Sequence, residues 1–223
     1  MAGGKRLSDL ATSALTDRLL AGPPRLELDA WTLGRPGLEA LVDEIGRGRR
    51  RIAECGCGLS TVLIARLLSE LGCGSLHALE HDDAWARLVR TRLAAEGLTA
   101  VAEVIDAPLA AHALAPPGCR WYAPEAIDRL PCGIELLLID GPPAGESAIA
   151  RSRYPAIPAL RPRLAEGATV VLDDAERQGE RWALSRWESE HALSFDRRAG
   201  HGLAIGVFSA QGPEGPKRIQ REG

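Results

Sequence analysis

The sequence lacks any apolar run that approaches the roughly 20 residues a membrane-spanning helix needs. Its N-terminal segment also lacks the continuous apolar core of a secretory signal peptide. Lysine is scarce, since only Lys5 and Lys217 stand among 27 basic residues, and the formal net charge is -3. These absences predict a cytoplasmic protein with no membrane partner and no general electrostatic attraction to nucleic acid.

Cysteine is present in an odd number, five residues, which argues against a disulfide framework. The 223 residues are 45% hydrophobic and 26% charged, which is typical of a soluble chain with one large core. Composition predicts a helical N-terminal extension over 1–35, one domain over 36–209 and a flexible tail over 210–223.

Short apolar runs alternate with longer amphipathic stretches along the chain. The apolar runs predict strands near 50–55, 76–80, 101–106, 134–140, 168–173, 192–197 and 203–208. Between them, helical patterns occupy 59–71, 82–96 and 175–191, and three prolines within 147–164 predict a kinked or broken helix. This order predicts an α/β fold, Rossmann-like and doubly wound, with a mostly parallel seven-stranded sheet and helices on both faces.

The stretch Ala53–Thr61, AECGCGLST, joins the first strand to the first long amphipathic helix. Glycines at such a turn let the backbone approach a ligand while N–H groups at the helix start face it. A zinc site is the weaker interpretation, because Cys55 and Cys57 are one residue apart and no second tight pair exists. A dehydrogenase is also disfavoured, because Thr61 stands where the dinucleotide fingerprint has its third glycine.

These residues resemble the first motif of the class I S-adenosylmethionine-dependent methyltransferases, an acid two residues before Gly-x-Gly, here followed by Ser. The resemblance extends over about residues 50–208, because further acids follow at the ends of the second, third and fourth strands. The resemblance implies that Glu54 accepts a hydrogen bond from the cofactor amine and that Glu80 accepts one from the ribose. It also implies that Asp106 lies at the adenine. The implied cofactor contacts are Glu54, Cys55, Gly56, Gly58, Ser60, Glu80, Asp106, Ala107 and Asp140.

A second set of acids follows the fourth and fifth strands, Asp140 in LLLIDGPPA and Asp173-Asp174 in VVLDDAER. Carboxylate oxygens are the ligands that Mg²⁺ prefers, and adjacent strand ends would bring these three together. The pattern is similar to that of metal-dependent O-methyltransferases, although the chain between the two acid positions is longer here. It suggests a metal site, with a cofactor role for Asp140 and an N-cap role for Asp174 as the alternative.

Other residues suggest how an acceptor could be held and activated. Asp140 and His201 are the candidate catalytic residues, the latter as a general base in the turn before the last strand. Arg153 and Arg177 could contact an acidic acceptor, and Trp121-Tyr122 could line its pocket or fill the core. The Asp-Pro-Pro motif of DNA amino-methylating enzymes is not matched, because Gly141 interrupts it and no aromatic residue follows.

Together these patterns predict an S-adenosylmethionine-dependent methyltransferase that methylates an oxygen of a small molecule, with or without Mg²⁺. A non-catalytic protein that binds S-adenosylmethionine or another nucleotide in the same fold is the alternative. No nucleic-acid partner is predicted, and a homodimer is compatible with the sequence.

Overall fold

The computed structural model describes residues 7–27, 33–191, 193–198 and 202–209. No helix in these ranges is long and apolar enough to cross a membrane. The α-helices are α1 Leu7–Ala21, α2 Arg35–Gly46, α3 Leu59–Leu71, α4 Asp83–Ala95, α5 Pro124–Ile127, α6 Ala156–Leu160 and α7 Gln178–Glu190. The strands are β1 Arg51–Cys55, β2 Ser75–Glu80, β3 Ala102–Asp106, β4 Leu109–Ala110, β5 Trp121–Tyr122, β6 Ile134–Ile139, β7 Leu164–Leu172, β8 Leu193–Arg198 and β9 Leu203–Phe208.

Seven of the described strands form one sheet in the order β3-β2-β1-β6-β7-β9-β8. The first five of these are parallel to one another, whereas β9 runs antiparallel between β7 and β8. The order reverses direction at β1 and β6, so the carboxyl ends of these two strands border the crevice in which such sheets bind ligands. The predicted doubly wound, mostly parallel fold is confirmed.

Each face of the sheet is covered by its own helices. Because successive strand residues point to opposite faces, Ile52 of β1 joins the cluster beneath α2, α3 and α4, whereas Ala53 joins the cluster beneath α6 and α7. In β6, Leu136 and Leu138 belong to the first cluster, whereas Ile134, Leu137 and Ile139 belong to the second. Burial on both faces explains why the central strands read as continuous apolar runs.

The predicted break in the proline-rich region 147–164 is confirmed, because two short 3-10 turns flank α6 there. The sequence prediction differs from the structure after β3 and at the start of α7. Helix α7 begins only at Gln178, because Asp174 has a φ of 57° and so cannot start a right-handed helix. The ribbon of β4 and β5 and the single turn of α5 were not predicted, because elements of two to four residues carry no periodic signal.

Candidate active site

The glycine-rich turn after β1 lies against the loop that leaves β6. Gly56 has a φ of 85°, and its N–H donates to the carbonyl of Leu79 at 2.9 Å. A Cβ at Gly141 would meet the Gly56 backbone at 2.9 Å, and a Cβ at Gly56 would meet the Gly141 nitrogen at 3.2 Å. Both positions therefore need glycine, because two backbones approach each other where the cofactor of this fold class binds.

Glu54 is buried beneath the first turn of α3, with 1% of its surface exposed. Its carboxylate accepts from the Ser60 hydroxyl and, at 2.6 Å, from the Thr61 hydroxyl, which in turn accepts from the Gly58 N–H. Burial raises the pKa of Glu54 to about 7, although these two hydroxyl groups oppose the shift. The acid predicted to bind the cofactor amine thus also organises the turn that the glycines form.

Glu54→Gln should change how the stability of the protein depends on pH. Because burial raises the Glu54 pKa from 4.5 to about 7 in the folded state, folding takes up a proton between these values and stability falls as pH rises through them. Glutamine cannot ionise, so the variant does not lose this stability as pH rises. The free energy of unfolding of the variant minus that of the native protein should therefore be about 2 kcal/mol higher at pH 8 than at pH 5. Urea unfolding at both pH values measures this difference, and parallel pH profiles for the two proteins would contradict it.

Glu80 ends β2 and reaches across to the same turn. Its carboxylate accepts from the backbone N–H groups of Cys57 at 3.0 Å, His81 at 2.7 Å and Asp82 at 2.9 Å. Burial alone would raise the Glu80 pKa, but hydrogen bonds from His81, Asp82 and Cys57 hold it below its usual range. Glu80 is therefore held as an ionised acceptor at the crevice, where the sequence places a ribose contact.

The other predicted cofactor residues divide into two groups. Asp106 ends β3 beside Glu80, with its carboxylate half-exposed and paired to Arg90 at 2.5 Å, and the N–H of buried Ala107 donates to the Glu80 carbonyl at 2.7 Å. The Cys55 side chain, in contrast, points into the core, so only its backbone reaches the crevice. The structure thus brings the predicted residues to one sheet edge, and His201 lies outside the described residues.

Tyr122 places an unpaired hydroxyl group beside the junction of the Gly56 and Gly141 loops. The residue is fully buried, and its hydroxyl has no hydrogen-bond partner among the residues that the structure describes. A Cβ at Gly141 would lie 2.7 Å from that oxygen, so the hydroxyl faces the junction of the two loops. An orphaned buried donor beside a cradle that only glycine permits fits a site built to hold a polar ligand. The sequence suggested that Tyr122 either lines a pocket or fills the core. In the structure its ring fills the core, while its hydroxyl faces the loop junction.

Tyr122→Phe should separate stability from cofactor affinity. Removing an unsatisfied buried hydroxyl should raise the free energy of unfolding of the ligand-free protein by about 1 kcal/mol. If the hydroxyl contacts the cofactor, affinity for S-adenosylhomocysteine should fall about three- to tenfold. Tyr154→Phe is the matched control, because that hydroxyl already donates to Glu190 at 2.7 Å. Calorimetry that shows equal affinities in both variants would restrict Tyr122 to a packing role.

Asp140, Asp173 and Asp174 meet above the carboxyl ends of β6 and β7. The Asp140 N–H donates to the carbonyl of Cys55, and the Asp173 N–H donates to the carbonyl of Ile139, each at 3.0 Å. The hydrogen bonds between the strands therefore continue into both acids. One carboxylate oxygen of each of the three acids lies within 4.8 Å of the others. Burial, and then the neighbouring acids, raise the pKa of Asp140 and of Asp173 above the usual range. The arrangement has the donor atoms and the spacing of a divalent-cation site.

Arg153 holds this acidic cluster from beneath, with 5% of its surface exposed. Its guanidinium donates to the carbonyl of Asp140 at 2.6 Å and to the carboxylate of Asp174 at 3.1 Å. The Glu180 carboxylate lies 3.8 Å away, is buried and has no hydrogen-bond partner among the described residues. Arg153 is thus engaged within the protein, and the expectation that it contacts an acceptor has no support in this geometry.

The N-cap alternative for Asp174 is wrong. The cap of α7 is Arg177, with no side-chain hydrogen bond to the helix, and the Asp174 carboxylate instead pairs with Arg177 at 2.7 Å and with Arg153 at 3.1 Å. Arg177 is consequently paired to the cluster as well, which disfavours its expected role as a free acceptor ligand. The sequence could not show this, because the turn at Asp174 depends on its left-handed backbone.

A cavity of about 380 Å³, which we call the proline cavity, is lined by Arg151 and Gly179, which lie close along the chain to Arg153 and Glu180. Three segments line it: the loop between β4 and β5, the residues that follow β6, and the first turn of α7. Its walls include Pro116, Pro117, Ala148, Arg151, Gln178 and Trp182. Sequence analysis did not identify this cavity, because its walls come from distant segments that no local pattern connects.

The strand order, the glycine turn after β1 and the acids at successive strand ends define a class I S-adenosylmethionine-dependent methyltransferase. A family profile described as a methyltransferase domain matches residues 53–175, which is more than half of the chain. The chain therefore belongs to this methyltransferase family. No curated protein is significantly similar to it in sequence.

Solved structures of similar proteins share this fold over most of both chains. A candidate O-methyltransferase from Klebsiella pneumoniae is 19% identical, with 93% of this chain and 92% of that chain covered and a TM-score of 0.61. An O-methyltransferase from Bacillus cereus in complex with SAH is 19% identical, with 89% and 91% covered and a TM-score of 0.58. TomG from Streptomyces achromogenes, an O-methyltransferase involved in tomaymycin synthesis and solved with SAM, is 17% identical, with 92% and 91% covered and a TM-score of 0.55. Likeness at these identities establishes the fold.

Proposed function

We propose that this protein transfers the methyl group of S-adenosylmethionine to a hydroxyl oxygen of a small molecule, with a divalent cation held by Asp140, Asp173 and Asp174. The observation that carries the proposal is the convergence of three carboxylate oxygens within 4.8 Å of one another at two adjacent strand ends. The O-methyltransferases of B. cereus and S. achromogenes, which share the fold, support the choice of oxygen as the methylated atom.

The charges around this site favour a cation. The Arg153 guanidinium is buried and lies within ion-pair distance of Asp140, Asp174 and Glu180, and Asp173 belongs to the same cluster of carboxylates. Among the described residues, Arg177 adds the second positive charge paired to this cluster. When bound, Mg²⁺ would lower the pKa of a coordinated hydroxyl and orient its oxygen. The three aspartates would hold the cation, and Arg153 joins the two loops that carry them through hydrogen bonds to both.

The donor and acceptor sides of the reaction lie at neighbouring parts of the same sheet edge. The glycine turn and Glu80 belong to β1 and β2, whereas the acids belong to the ends of β6 and β7. In-line methyl transfer requires the acceptor oxygen to approach the sulfonium methyl from the side opposite to the sulfur. Acids beside the crevice therefore lie where they can orient that oxygen.

A small-molecule acceptor is favoured over a nucleic acid by the size and charge of the molecule. The proline cavity, at about 380 Å³, is within the range of small-ligand pockets. A net charge of -3 provides no general attraction to a phosphate backbone.

Methyl transfer to a panel of catechols, hydroxy acids and sugars tests the proposal, with S-adenosylhomocysteine formation as the readout. Turnover should disappear with EDTA and return with Mg²⁺, and calorimetry should detect Mg²⁺ binding to the protein alone. Turnover that survives the chelator would refute the metal. The Asp140 carboxyl, whose pKa burial raises, would then be the candidate proton acceptor.

A further inference from the structure

The proline cavity is lined by an arginine that has no acidic partner in the part of the chain that the structure describes. Arg151 lines the cavity, and its guanidinium makes no hydrogen bond or ion pair with any described residue. Most of the arginines around the sheet edge, Arg153 and Arg177 among them, are paired with acids. A cation without a partner at the wall of a cavity is available to a ligand.

Trp182 holds this guanidinium in place. The Arg151 guanidinium carbon lies 4.4 Å from the centroid of the Trp182 ring, which is stacking distance for an arginine on an aromatic face. The Trp182 ring packs in turn against Tyr154 at 5.1 Å between centroids. Stacking removes part of the rotational freedom of Arg151 before any ligand binds, and a stacked guanidinium keeps its planar edge free to donate two parallel hydrogen bonds.

Arg151 also lies close along the chain to the acidic cluster. Ser152 and Arg153 turn inward and are 3% and 5% exposed, and Arg153 contacts Asp140 and Asp174. Gln178 and Gly179, which also line the cavity, directly precede buried Glu180. The cavity therefore has a cationic group at its wall, and two of its segments continue directly into Arg153 and Glu180, while the two prolines and Ala148 make part of its surface apolar.

We propose that the proline cavity binds the methyl acceptor and that Arg151 selects acceptors with a carboxylate group. The acceptor would be a small hydroxylated carboxylic acid with an apolar body. Its carboxylate pairs with the guanidinium of Arg151, its body contacts Pro116, Pro117 and Ala148, and its hydroxyl points to the aspartates. This inference rests on the proposed function for the identity of the reacting group, but the carboxylate contact can be measured without turnover.

The test compares 3,4-dihydroxybenzoate with its uncharged methyl ester. Dissociation constants come from calorimetry on protein saturated with S-adenosylhomocysteine, and KM and kcat come from S-adenosylhomocysteine formation with S-adenosylmethionine. The variants are Arg151→Gln, which removes the charge, and Arg151→Lys, which keeps the charge without the planar fork. Arg181→Gln is the matched control, because Arg181 lies on the same helix as Trp182, is exposed and does not line the cavity.

The native protein should bind the acid more tightly than the ester. Arg151→Gln should weaken binding of the acid, and raise its KM, about tenfold to a hundredfold, with little change for the ester. Arg151→Lys should fall between the two, and Arg181→Gln should match the native protein. Equal affinities of the native protein for acid and ester, failure to bind the acid, or an Arg151→Gln variant that binds it normally would each overturn the inference. Binding of the acid through Arg151 without any methyl transfer would instead refute the proposed reaction and leave the carboxylate site in place.

Discussion

Asp173→Asn is expected to reduce methyl transfer by at least about a hundredfold while the affinity for S-adenosylmethionine changes little. Asn offers a neutral oxygen in place of a charged one, so the cation site loses one of its three carboxylates, and metal-ion assistance contributes several kcal/mol to such reactions. Burial and the adjacent Asp174 raise the Asp173 pKa, so the ionised group is costly in the metal-free protein. The free energy of unfolding should therefore not decrease in the variant.

Asp128→Asn is the control for this prediction, because Asp128 is exposed, pairs with Arg163 at 2.8 Å and is not one of the three clustered aspartates. Three measurements together decide the outcome: turnover at saturating Mg²⁺, calorimetric affinity for S-adenosylhomocysteine, and urea unfolding. A variant that retains full turnover would show that Asp173 does not hold a metal required for the reaction. Equal losses in turnover and in cofactor affinity would place Asp173 at the donor.

Gly179→Ala is expected to lower both stability and activity, because no room exists for a side chain at this position. A Cβ there would lie 1.6 Å from the carbonyl oxygen of Ala150 and 2.5 Å from its carbonyl carbon. Both clashes involve backbone, so the segment that follows β6 must move away from α7. Overpacking of this kind costs about 1–3 kcal/mol. Because both segments line the proline cavity, KM for the acceptor should rise.

Gly145→Ala is the matched control. Gly145 lies in the loop between β6 and α6 that also contains Ala150, and a Cβ at Gly145 meets nothing within 4 Å. Urea unfolding and steady-state kinetics on both variants separate a steric effect from a general loss of glycine flexibility. Equal stability of the two variants, or a stable Gly179→Ala protein with normal KM, would show that α7 and the loop are not packed as described.

Several features of the molecule are determined by local sequence. The glycine turn could be predicted, because a strand pattern ends and a helical pattern begins on either side of it, and only glycine permits the φ of 85° at Gly56. The alternation of apolar runs and amphipathic stretches likewise gave the strands and helices of the sheet, including α3 at its predicted residues. From these followed the strand ends at which Glu80, Asp106, Asp140 and Asp173 lie.

The details of the candidate site depend on contacts between distant parts of the chain. The sequence suggested that Arg153 contacts an acidic acceptor, yet the approach of two loops buries it among carbonyl groups and acids. Tyr122 lies on a two-residue strand that has no periodic signal, and its position beside Gly141 depends on tertiary packing. The unpaired state of Arg151 has the same origin, because a residue's partners are decided by what folds against it.

The sequence by itself determined the class of fold, the cofactor turn and the order of the acids, because each is carried by a local pattern of residues that forms without reference to the rest of the chain. The tertiary structure decided which acids share a site, which arginine is buried and which is available, and where a cavity opens. The physical reason is that charges and cavities depend on distances between segments far apart in sequence, such as the loop before β5 and the first turn of α7, which come together only when the sheet is assembled.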